Sequence, residues 1–154
     1  WMDFCPAQKP MHPYIDKGAF QLMEDEEIHT LDFRNVYPYH YYEVPTSDFG
    51  VRLGADALGA FQFHREFLQH HQWNTPNRRW VCKSPSAQGY LDHLFATYPD
   101  ALCVWAHRPM GEIYASNVAL RAAIFDTISG RPNDWNSRSM AIAESMLTSA
   151  ANTT

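Results

Sequence analysis

Two short apolar runs, set a fixed distance apart, constrain this chain more than any other feature. The first is Trp80, Val81 and Cys82 within "RWVCK"; the second is "ALCVWA", residues 101–106. Between them lies "SAQGYLDHLFATYP", where Leu91, Leu94 and Phe95 recur at the spacing of one helix face. A strand, a helix and a strand at this spacing predict a βαβ unit, with parallel strands and a right-handed crossover. Both runs are almost continuously apolar, the pattern of strands covered on both faces. A further helix is predicted over 111–129, ended by Gly130, Arg131 and Pro132. The expected fold class is therefore α/β, a parallel sheet with flanking helices.

The remaining segments fit around that core. Residues 54–73 predict a helix with Ala57, Leu58, Phe61 and Leu68 near one face and Phe67 beside it, stopped by the turn signal "NTPNRR". Its histidines, His64, His70 and His71, read as a polar helix face, because no carboxylate or cysteine spacing completes a metal site. Glu24, Asp25, Glu26 and Glu27 read as a solvated helix N-terminus favoured by the helix dipole. Residues 1–22 show no sustained period, and 137–150 read as a last helical stretch. With no repeats and no low-complexity linker, 1–154 is read as a single domain: 1–53 irregular, 54–130 a helix plus a βαβα core, and 131–154 helical.

Composition narrows the function classes. A chain that is 45% hydrophobic and 19% charged is an ordinary globular protein, and 154 residues suffice for one modest core. The net charge of −5 argues against a nucleic-acid binder. No apolar run is long enough to span a membrane. The three cysteines are widely spaced, and Cys82 and Cys103 lie inside the apolar runs, so free thiols in a reducing, cytoplasmic compartment are expected. A lone Cys5–Cys82 or Cys5–Cys103 bridge is the alternative. Because the chain starts at Trp1, a longer parent protein is expected.

Both predicted strands end in cations. Lys83, one of three lysines, follows the first, and His107 and Arg108 follow the second. Ligands of parallel α/β sheets bind outside the carboxyl ends of the strands. Adjacent strands lie about 5 Å apart, so Lys83 and Arg108, with Ser84 and Ser116 alongside, would converge on one anion site. The bland alternative is that these cations pair with Asp92, Asp100 or Glu112. Lysine offers a compact point charge for a reacting anion, and arginine a planar fork suited to phosphate. On an uninterrupted helix the Cα atoms of Arg108 and Ser116 would be about 12 Å apart, so a shared phosphate requires a bend through Pro109, Met110 and Gly111.

"RWVCKSPSAQGYLDHLFATYPDALCVWAHRPMGEIYAS" resembles the matching region of the sulfotransferase family, in particular its bacterial-type branch. The upstream "GAFQFHREFLQHHQWNTPNRRW" and the aromatic "YPYHYYEVP" are similar to family segments as well, extending the resemblance over roughly residues 24–130. The resemblance implies a P-loop-like sulfotransferase fold, incomplete at the N-terminus because the family's phosphate loop and central strand are not among these residues. It implies a sulfuryl transfer from 3′-phosphoadenosine 5′-phosphosulfate to a hydroxyl or amine of a small-molecule, lipid or glycan acceptor, without a metal. Lys83 and Ser84 would act on the transferring group, and Lys83, Arg108 and Ser116 would hold the donor. Glu43, His40 and His107 are candidate bases, and Tyr37, Tyr39, Tyr41 and Tyr42 could line the acceptor pocket. A homodimer is among the expected assemblies. The alternatives are a nucleotide-binding or kinase-like P-loop protein, or a non-catalytic α/β interaction module.

Overall fold

A computed structural model describes residues 3–11, 24–34, 56–76, 78–130, 134–135, 138–140, 142–144 and 147. The chain forms two compact units. One spans Leu22–Cys103; the other combines Trp1–Gln21 with Val104–Thr154.

The Leu22–Cys103 unit is built on three helices: α1 (Glu26–Leu31), α2 (Ala57–Gln72) and α3 (Leu91–Thr97). Asp56 caps α2, its Oδ1 accepting the Gly59 N–H at 3.0 Å and so satisfying one donor that the first helical turn leaves free. The Asp56 carboxylate folds close over Gly59, so a Cβ there would require the Asp56 side chain to shift. Along α2, Ala57, Ala60, Phe61, His64 and Leu68 are buried, an unbroken i, i+3, i+4, i+7, i+11 stripe. That stripe packs against α1 and α3. Just past α1, Arg34 pairs with Asp32 and, at 3.0 Å, with Asp56, tying the end of α1 to the start of α2.

In the other unit, α4 (Met110–Ser129) follows the extended residues 104–109. It ends as its sequence predicts: Gly130 adopts a left-handed φ of 66° and donates its N–H to Asp126 O at 3.1 Å, a stop that favours glycine. A 3₁₀ turn, Pro6–Gln8, packs on α4 and brings Cys5 to zero exposure. The Cys5 thiol donates to Ala123 O at 3.4 Å and accepts from the Thr127 hydroxyl at 3.3 Å. Trp135 Nε1 reaches Asp126, and the Arg138 guanidinium lies 4.1 Å above the Phe125 ring, a stacking geometry that favours arginine. Residues 138–140 and 142–144 are helical, as expected of 137–150.

The expected parallel sheet does not form. Among the described residues there is no strand, and both 80–83 and 101–106 lack regular secondary structure. The P-loop-like α/β class and its βαβ unit are therefore replaced by helices joined through extended segments. A helix satisfies its own backbone, whereas a strand must find neighbours for every second N–H and C=O. Here the run at 80–83 receives one backbone bond from another element, Asp25 N–H to Lys83 O at 3.0 Å, and one bond is not a ladder. Its apolar side chains stay outside: Val81 is 81% exposed, and Leu102 and Val104 are each 91% exposed. Cys82 and Cys103 are exposed free thiols rather than core residues, and Cys5 is also free, so neither alternative bridge forms. In α3, Leu91 and Leu94 are half-buried, while Phe95 is exposed.

Candidate functional site

The segment "KSPS", residues 83–86, lies across the start of α1 and is held there by consecutive carboxylates. Lys83 Nζ pairs with Glu24 Oε1 at 2.6 Å. The Ser84 hydroxyl donates to Asp25 Oδ2. Ser86 N–H donates to Glu26 Oε1 at 2.9 Å. Pro85 opens a 3₁₀ turn to Gly89 that buries Ala87 beneath it. The acidic cluster is thus only in part a solvated helix end: Glu27 is exposed, but Asp25 is 7% exposed and Glu26 2%. Lys83 takes Glu24 rather than Asp92, Asp100 or Glu112 as its carboxylate, and its side chain remains 59% exposed. Exposed pairs of this kind contribute about 0–1 kcal/mol.

Behind the segment sits a buried polar cluster. His64, 4% exposed, places Nδ1 2.7 Å from the Tyr98 hydroxyl and Nε2 3.2 Å from Asp25 Oδ2. His29, 2% exposed, stacks on the His64 ring at 5.3 Å and meets the Phe61 ring edge-on at 5.5 Å. Burial alone would raise the Asp25 pKa, but its contacts with His64 and Ser84 outweigh this and hold it below the usual carboxylate value. Burial raises Glu26, helped by the neighbouring Asp25 and Glu24 charges and opposed by its bonds to Ser86. Burial, with the nearby His64, pushes the His29 imidazole down to about 4, so it is neutral at physiological pH. Although Cys82 as a residue is exposed, desolvation around its sulfur and the Asp25 charge push the thiol up to about 11. Burial likewise raises the Tyr98 phenol, which stays protonated.

The sequence "Sulfotransferase family" model matches residues 8–149, most of the chain. The chain belongs to the sulfotransferase family. It is an enzyme of sulfuryl transfer, as the resemblance implies. No curated protein and no solved structure gives a significant match.

Within this sulfotransferase, Lys83 and Ser84 are brought together on the Leu22–Cys103 unit, with the lysine outward and the serine half-buried. Arg108 and Ser116 belong to the other unit, and both are exposed. The bend anticipated through Pro109, Met110 and Gly111 is confined to Pro109, with φ −54° and ψ 135°, because α4 already begins at Met110. Ser116 is then six residues up the helix, a rise of about 9 Å. His107 is exposed and stacked on Trp105, with ring centroids 5.2 Å apart. Glu43, His40, Tyr37, Tyr39, Tyr41 and Tyr42 lie outside the described residues. Among the described residues no helix is long and apolar enough to cross a membrane.

The buried cluster is what the sequence reading missed. His64 follows Phe61 by three positions and precedes Leu68 by four, which puts it on the apolar stripe, not on the polar face assigned to it. His29 stands three positions after Glu26, and both face inward. The helical spacing of these residues was the available signal.

Proposed function

We propose that this sulfotransferase takes 3′-phosphoadenosine 5′-phosphosulfate as donor and passes its sulfuryl group to a hydroxyl or amine of a small-molecule, lipid or glycan acceptor. The bond from sulfur to the phosphate-bridging oxygen breaks and a bond from sulfur to the acceptor oxygen or nitrogen forms. The acceptor gives up its proton to a base, and adenosine 3′,5′-bisphosphate leaves. Negative charge spreads over the sulfuryl oxygens and the leaving phosphate as the old bond lengthens, so fixed donors placed at that charge lower the barrier.

The observation that carries this reading is the anchoring of Lys83 and Ser84. Asp25 N–H and the Asp25 carboxylate hold the backbone of Lys83 and the hydroxyl of Ser84, while the Lys83 side chain, paired with Glu24, stays 59% exposed. An exposed cation whose backbone is held in place suits an incoming sulfuryl or phosphoryl group. Ser84 would donate to the same group after turning from Asp25. Arg108, with its planar fork, and Ser116 would hold the 3′-phosphate.

Differential scanning fluorimetry with adenosine 3′,5′-bisphosphate and with adenosine monophosphate tests the donor assignment. The bisphosphate should raise the Tm and the monophosphate should not, because only a ligand bound by the native state stabilises it. Arg108→Ala should remove most of the bisphosphate shift. Equal shifts from both nucleotides would refute the assignment of the 3′-phosphate to this enzyme.

A further inference from the structure

Beyond sulfuryl transfer, we propose that Asp25, His64 and Cys82 bind one borderline-soft divalent cation of the zinc class. One ligand atom from each of the three side chains lies within 4.8 Å of the other two. Thiolate, imidazole and carboxylate together are the donor set of tetrahedral zinc, and three protein ligands leave a fourth position for water.

The hydrogen bonding around His64 supplies the independent reason. His64 Nε2 is buried without a hydrogen-bond partner, as is Asp25 Oδ1, although Nε2 and Oδ2 are 3.2 Å apart. Their approach makes an ion-pair distance but not the alignment of a hydrogen bond. Burying two such atoms unpartnered is costly, and a cation held by Nε2 and the Asp25 carboxylate would lessen that cost. Tyr98 engages the other ring nitrogen. His64 Nδ1 lies 2.7 Å from the Tyr98 hydroxyl; in the tautomer with the proton on Nδ1, that oxygen accepts and the Nε2 lone pair is left for the cation. Ligating histidines are regularly oriented this way through their second nitrogen. His29, stacked on the His64 ring, restrains its rotation.

Ligand atoms around tetrahedral zinc stand about 3.3–3.6 Å apart, from bond lengths of about 2.0–2.3 Å. Asp25 Oδ2 and His64 Nε2, 3.2 Å apart, are close to that separation. Cys82 must close the remaining gap from within 4.8 Å, and it lies on an exposed segment without regular secondary structure. Binding would displace the thiol proton to solvent. It would also fix the residue directly before Lys83 and Ser84, so the cation would clamp the donor-facing segment onto α1 and α2.

Cobalt(II) titration of the chelator-treated, desalted protein tests the site. One equivalent should bind and give tetrahedral d–d absorption with a thiolate-to-cobalt charge-transfer band, and zinc(II) should bleach both. Cys82→Ser, at an exposed position, should abolish the charge-transfer band while far-ultraviolet circular dichroism is unchanged. Cys103→Ser should leave the band intact, and Tyr98→Phe should weaken cobalt affinity by about 10–100-fold. Absence of saturable binding by the wild-type protein would overturn the proposal. So would a charge-transfer band that survives in Cys82→Ser or disappears in Cys103→Ser.

Discussion

The stripe of α2 and the extended runs at 80–83 and 101–106 are drawn from similar residues, yet they meet opposite fates. On α2, Phe61 is 2% exposed and Leu68 7%; in the runs, Val81, Leu102 and Val104 are 81–91% exposed. Hydropathy alone does not separate them. The α2 residues sit on a backbone that closes its own hydrogen bonds, so one packed face is enough to bury them. The runs must first pair their backbone groups, and among the described residues no neighbour supplies a ladder. Burial in this chain goes to the segments whose backbone needs no partner.

The contrast is sharpest at Phe61. Phe61→Ala should destabilise the protein by about 3–5 kcal/mol, the usual cost of emptying a buried aromatic site. Urea unfolding would read this as a lower midpoint at unchanged slope. A loss below about 1 kcal/mol would mean that the α2 stripe is not the core of its unit.

Lys83 joins the two regions, since it stands on an extended run but is anchored to α1. Lys83→Ala should lower kcat by about 10²–10³-fold, the scale of removing one donor aimed at developing charge, with a much smaller change in donor affinity. Lys83→Arg should restore only part of the rate, because a planar fork does not reproduce a point charge. Steady-state rates at saturating donor, paired with calorimetric donor affinity, separate the two effects. A wild-type rate in Lys83→Ala would make this residue an ordinary loop cation.

How much of this was legible in the sequence follows the same division. The helix over α2, the helix ended by Gly130 and the Lys83–Ser84 motif could be read from spacing and stop signals, because each depends on neighbours along the chain. The sheet could not, since an apolar run states that a strand would be buried if partners exist, not that they do. The buried cluster was hidden for another reason. Histidine and carboxylate residues score as polar, and only their helical register places Glu26, His29 and His64 inside. The partnership of Glu24, Asp25 and Glu26 with residues 83–86 joins segments about sixty positions apart and leaves no local trace.

That buried cluster should make the helical unit acid-sensitive, measured with a chelator present. His29 has a folded-state pKa of about 4 against an ordinary value of 6.5. Its contribution is therefore complete above about pH 6.5 and is lost as the pH falls towards 4, because only the unfolded chain takes up the proton in that window. The full span is at most about 3 kcal/mol. Asp25, also lowered, acts in the same direction at more acidic pH, whereas the raised Glu26 opposes both, since its protonation favours the folded state. His29→Gln should flatten the urea midpoint between pH 6.5 and 4. A midpoint with the same slope in wild type and variant would show that His29 is not held neutral by burial.

The smallest expected effect discriminates most directly between helices with exposed extended runs and the sheet that the sequence suggested. Val81→Ser and Leu102→Ser alter side chains that are 81% and 91% exposed, and surface changes away from special features usually stay within about 0.5 kcal/mol. Were these residues central in a sheet covered on both faces, each would lose a buried aliphatic side chain and place a hydroxyl in apolar surroundings. Losses of about 2–5 kcal/mol, comparable to Phe61→Ala, would then be expected. Urea midpoints of the two variants should therefore fall within error of the wild type, while Phe61→Ala is clearly shifted. Removing exposed apolar groups should also reduce self-association in sedimentation velocity, because unpaired extended edges invite pairing between chains. If either serine variant instead unfolds as readily as Phe61→Ala, the run that carries it is buried, and the difference between the two regions disappears.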